Sequence, residues 1–143
     1  QLQILKELVP LAKDSYDFRF RPHPAAPFSQ RSLPAGVSLS QALSVREDLA
    51  ESDVALCGDV STSSLNANLE GVPVLILRDG RGLHGTLLSP GPSVRLVNDA
   101  TDVLSALEQI DFGSGRISGS ETYPMYLDIG LTKWKTLFEQ GQG

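Results

Sequence analysis

The sequence predicts a layered α/β fold with a mostly parallel sheet, and three observations carry that prediction. Short apolar runs alternate with helix-patterned segments, which is how strands come to lie side by side with helices across them. The run at 72–77 (Val-Pro-Val-Leu-Ile-Leu) is continuously apolar, as expected of a strand covered on both faces. Residues Asp53 to Leu77 read as strand, hydroxyl-rich turn, short helix, Gly-x-Pro stop and second strand, which is one βαβ unit.

The elements follow in order. Leu2, Leu5, Leu8 and Val9, joined by Ala12, fall at helical spacing and predict a helix over 2–13. Pro10 lies inside it and is expected to kink or shorten it. From Tyr16 to Arg21 aromatic and charged residues alternate, the pattern of a half-buried strand. Pro22, Pro24 and Pro27 then force an extended loop, and 28–36 carries little pattern. Val37 to Leu39 is a short strand. Ser40 is expected to cap a helix over 41–50, with Leu43 and Leu49 as its apolar anchors. Val54 to Cys57 is a buried strand, 62–70 a helix with Leu65 and Leu69 on the sheet, and 72–77 a strand. A long loop over 78–92 leads to a strand at Val94 to Val97. Asn98 or Asp99 caps a helix running to about 109, with Val103, Leu104 and Leu107 on one face. Residues 111–124 read as a linker, Gly- and Ser-rich over 111–120, and a last helix is expected at 125–139, carrying Leu131, Trp134, Leu137 and Phe138.

The bulk properties narrow the function. A chain of 143 residues is enough for one domain with one sizeable core. A net charge of −5 makes nucleic acid a poor partner, because binding a phosphate backbone needs a basic surface. Small phosphates are still compatible, since a few local donors suffice. The one cysteine, Cys57, rules out an internal disulfide and reads as a small core residue. No run approaches the ~20 apolar residues of a membrane span. A cytoplasmic setting is the expectation, with the inner face of the membrane as one location within it.

Chemistry concentrates at two strand ends. A helix start offers unpaired N–H groups and the positive end of the dipole, so Ser61, Thr62, Ser63 and Ser64 at the mouth of the 62–70 helix suit a phosphate. The alternative is that Ser61 or Thr62 simply caps the helix. Thr62, Asn66 and Glu70 share one helical face, either solvated or lining a cleft. Upstream, Arg21-Pro22-His23-Pro24 closes another strand, and the flanking prolines make a rigid platform for the His23 imidazole. His84, with Arg78 and Arg81, makes a weaker second cluster, read as surface charge before an anion grip. There is no Gly-x-x-x-x-Gly-Lys-Ser/Thr loop, no Gly-x-Gly-x-x-Gly after a strand and no Gly-x-Ser-x-Gly elbow. Two histidines without a cysteine cluster make a metal site a poor expectation.

Arg21-Pro22-His23-Pro24, then Ser61-Thr62, then Gly71-Val72-Pro73-Val74 together resemble the carboxyl-terminal half of GT-B glycosyltransferases. The likeness is to bacterial enzymes of surface polysaccharide assembly that use CMP-sugars, the capsule sialyltransferases and Kdo transferases. It spans about residues 16–110, with a weaker echo from Tyr123 to Phe138. It implies a Rossmann-like three-layer domain over 1–110, lacking its first strand and forming half of a GT-B architecture. The nucleotide-sugar would be the substrate and no cofactor would be needed. His23 would contact the donor phosphate and stabilise the leaving group, and Ser61 and Thr62 would hold the phosphate. Arg21, Ser63, Asn66 and Glu70 complete the implied donor site. Asn66 stands where related enzymes often carry a ribose-binding Glu, which disfavours a sugar-nucleotide 2-epimerase. The glycan acceptor would bind through an amino-terminal half that this chain lacks, so the fragment is expected to be inactive alone. A non-catalytic scaffold in polysaccharide assembly is the reading from another class.

Overall fold

The structure, a computed structural model, describes residues 2–26, 28–78 and 85–112. The expected linker beyond Phe112, the 125–139 helix, His84 and Arg81 lie outside the described residues.

Within them the fold is α/β and Rossmann-like, with parallel strands throughout. Helix α1 (Leu2–Ala12) leads to β1 (Phe18–Phe20), a short 3-10 turn (Gln30–Ser32) and β2 (Val37–Leu39). Helix α2 (Val45–Ala50), β3 (Ala55–Gly58), α3 (Thr62–Leu69) and β4 (Val74–Leu77) follow, then β5 (Val94–Val97) and α4 (Ala100–Glu108). The strands form two ladders: β1 with β2, and β3-β4-β5 in that order. Register is set by pairs such as Phe18 with Val37, Ala55 with Val74 and Leu77 with Val97.

Side-chain alternation along the strands builds a core on each face of the larger sheet. Leu75 and Val97 point to one side and meet Leu8 and Ala12 of α1 and Val103, Ala106 and Leu107 of α4. Val74, Ile76, Cys57 and Val94 point to the other, against Leu49 of α2 and Ala67 of α3. Phe18 of β1 and Leu56 of β3 both lie on the first cluster, so the two ladders share one core although no hydrogen bond joins them among the described residues. The apolar run at 72–77 thus has the double cover its composition predicts. Burial pushes the Cys57 thiol up to about 11, which leaves it protonated and fits a core role.

Local signals explain the element ends. Helix α1 continues through exposed Pro10, where a lost N–H bond is least costly because water replaces it. Helix α3 stops in a Schellman motif. Gly71 takes φ 72°, its N–H reaches Asn68 O at 3.1 Å and the Val72 N–H reaches Ala67 O at 2.9 Å. Asp99 caps α4 by accepting from the Asp102 N–H.

Two expectations need correction. Ser40 does not cap α2; Ser44 does, accepting from the Glu47 N–H at 3.2 Å, while Glu47 Oε2 accepts from the Leu43 N–H at 2.9 Å. The helix therefore spans Val45–Ala50, and Leu43 sits ahead of it, 92% exposed, leaving Leu49 as its apolar anchor. In α3, Leu69 is 51% exposed; Ser64 and Ala67 face the sheet instead, with Leu65 at the margin. Small residues let this short helix sit close to the strands, and the larger leucine is left outside.

Candidate functional site

In parallel α/β folds ligands gather beyond the carboxyl ends of the strands. The Arg21 to Pro24 loop leaves the carboxyl end of β1, and residues 59–64 leave that of β3. Both marked motifs therefore lie where such a fold places its ligands.

At the mouth of α3, Ser61 is the cap. Its Oγ accepts from the Ser63 N–H at 3.3 Å, and its carbonyl accepts from the Ser64 hydroxyl at 2.7 Å. Ser64 is buried and turned inward, Ser63 is half-buried and Thr62 is exposed. The capping alternative for Ser61 is thus realised, with the dipole still directed outward and the Thr62 hydroxyl facing solvent. Asp59, two residues ahead of the cap, is buried.

The β1 loop is built differently. Arg21 Nη1 donates to Asp48 Oδ2 at 2.5 Å and to the Ala42 carbonyl at 3.1 Å, and lies 3.4 Å from Ser40 Oγ. The structure thus gives Arg21 protein partners, where the sequence suggested a ligand. Ser40 Oγ lies 2.7 Å from both Asp48 oxygens, and its backbone N–H donates to the Phe20 carbonyl at 2.8 Å. Asp48 is only 8% exposed. Burial alone raises a carboxyl pKa, but here the Ser40 hydroxyl, Arg21 and Arg19 outweigh it and hold Asp48 below its ordinary 3.8. His23 is exposed. Its Nδ1 accepts from the Ala25 N–H at 3.2 Å, and its carbonyl from the Ala26 N–H at 2.9 Å. With Nδ1 accepting, Nε2 is the ring nitrogen left to donate to a ligand.

The third group divides. On the shared face of α3, Thr62 and Asn66 are exposed, and half-buried Glu70 turns to Arg46 Nε at 3.0 Å. Glu70 ties α3 to α2, and this face is mainly solvated. Arg78 donates its backbone N–H to the Val97 carbonyl at the end of β4. No hydrogen bond joins residues 21–26 to residues 61–66 among the described residues. A hollow of about 550 Å³ opens between the small sheet and α2, lined by Arg19, Ser38, Gln41, Glu47 and Glu51 among others. None of the anticipated donor residues lines it. Among the described residues no group of three or more His, Cys, Asp or Glu could hold a metal, and no helix is long and apolar enough to cross a membrane.

Sequence reasoning missed Asp48 and Asp59. Asp59 had a signal, an acid at a strand's carboxyl end. Asp48 had none of its own, although Ser44-x-x-Glu47 marks a capping box that would have moved the helix start and turned Asp48 toward β1.

The arrangement defines an α/β protein with an imidazole after the carboxyl end of a strand in one ladder and a helix mouth after that of a strand in the other. Compared with known proteins, the chain matches no family model, no curated protein and no solved structure.

Proposed function

We propose that this chain is the donor-nucleotide-binding domain of a glycosyltransferase that moves a sugar from an activated nucleotide, a CMP-sugar in preference, to a surface glycan. One observation carries the reading: exposed His23, its Nδ1 taken up by Ala25, and the α3 mouth each follow the carboxyl end of a parallel strand, and those strands share one core. A ligand phosphate there would meet an imidazole donor, a hydroxyl and a helix dipole. Groups already aimed at a leaving phosphate lower the barrier to its departure. Leu43, Val60 and Leu87 are exposed on the segments after β2, β3 and β4, which suits an edge that receives a substrate or the acceptor-binding half.

The scaffold reading draws on Arg21 and Glu70, whose side chains are engaged within the protein. A thermal-shift series with CMP, UDP and GDP separates the two. A nucleotide at a hundred times its Kd stabilises the native state by about 2.7 kcal/mol, a rise of several degrees for a domain of this size. CMP is expected to give the largest shift, and His23→Ala to weaken it about tenfold in Kd, or ~1.4 kcal/mol. Absence of any shift favours the scaffold.

A further inference from the structure

Asp48 belongs to α2, far in sequence from the β1 loop, yet it anchors Arg21, the residue that opens that loop. It is buried, keeps its charge, and receives Arg21 Nη1 and the Ser40 hydroxyl. Ser40 in turn holds the last carbonyl of β1 through its backbone N–H. Arg21 is separated from His23 by Pro22 alone, whose ring fixes φ. The anchored Arg21 thus stands two residues from the imidazole, with one of the intervening backbone torsions fixed. Arg19 reaches the same carboxylate from β1, its Nη1 lying 3.6 Å from Asp48 Oδ1 and 2.8 Å from Glu51 Oε2.

We infer that Asp48 is a positioning residue, which acts through Arg21 to hold the His23 imidazole in one orientation at the carboxyl edge. The ligand-binding consequence rests on the nucleotide reading above; the orientation of the ring does not. Losing the carboxylate frees the Arg21 side chain from α2, loosens residues 21–24 and lets the ring exchange its Ala25 bond for water. A fold-stabilising pair with no bearing on His23 would lower the melting temperature and leave the ring as it was.

The test has two readouts. In the wild-type protein the long-range nitrogen–proton couplings of His23 report one Nε2–H tautomer, and Asp48→Asn gives the averaged pattern of a mobile ring. With CMP as the probe in calorimetry, Asp48→Asn weakens binding about tenfold in the wild-type background and less than about twofold beside His23→Ala, because coupled residues are not additive. Arg21→Gln carries both measurements if Asp48→Asn does not fold. Unchanged His23 couplings in these variants, or equal weakening in the two backgrounds, overturns the assignment. If the wild type binds none of CMP, UDP and GDP, the donor reading fails, and the ring couplings alone decide the role of Asp48.

Discussion

Asp48 shows how one side chain can be costly and stabilising at once. Removing a carboxylate from water is unfavourable, and only well-placed donors offset it. Ser40 and Arg21 supply them, so the folded state prefers the charged form more than the unfolded chain does. The resulting stability is complete above the unfolded value of 3.8 and fades as pH falls through the lower, folded value. Asp48→Asn is expected to cost about 2 kcal/mol near neutral pH, the usual worth of hydrogen bonds to a charged group. Urea unfolding at a series of pH values should show the wild type converging on the variant below about pH 4. A gap that stays constant down to pH 3 would show that the charge of Asp48 is not the source. At the same scale, Arg21 was read from sequence as a ligand contact because nothing in its neighbourhood reveals an acid 27 positions later turning toward it.

Among the elements, those with dense local signals were legible. Continuous apolar residues gave β4, alternating aromatics gave β1, and Gly71 with Pro73 marked the stop after α3. Helix α2 was misplaced because Ser40 and Ser44 are both plausible caps, and only tertiary contact with Asp48 gives Ser40 another task. Leu69 was misassigned because helical periodicity ranks residues by polarity, whereas close approach of α3 to the sheet favours Ser64 and Ala67. Three substitutions test the element ends by thermal unfolding. Ser44→Ala should cost about 1 kcal/mol, as loss of a cap does, while Ser40→Ala should cost as much or more by removing a donor from Asp48. Gly71→Ala should cost about 1 kcal/mol or more, since φ 72° strains any residue with a Cβ.

For the whole molecule, the layered α/β class and the parallel strands were readable because alternation of element types dictates them. The relation between the two ladders was not, since hydrogen bonding between distant strands leaves no mark in local pattern. Whether His23 and the α3 mouth serve one ligand belongs to the same scale, and it is what the nucleotide series and the His23 variant examine. If both groups serve one phosphate, Ser61→Ala and His23→Ala should show coupled losses of CMP affinity in a double-mutant cycle. Additive losses, or none, would mean that they serve separate ends.

The division into two ladders has a practical outcome. Five strands in one sheet would expose two borders, whereas here β1, β2, β3 and β5 each leave one without a hydrogen-bonded neighbour among the described residues. Unpaired main-chain donors and acceptors act as templates for a stranger's strand. Purified chain should accordingly self-associate as its concentration rises, and light scattering across a dilution series would reveal it.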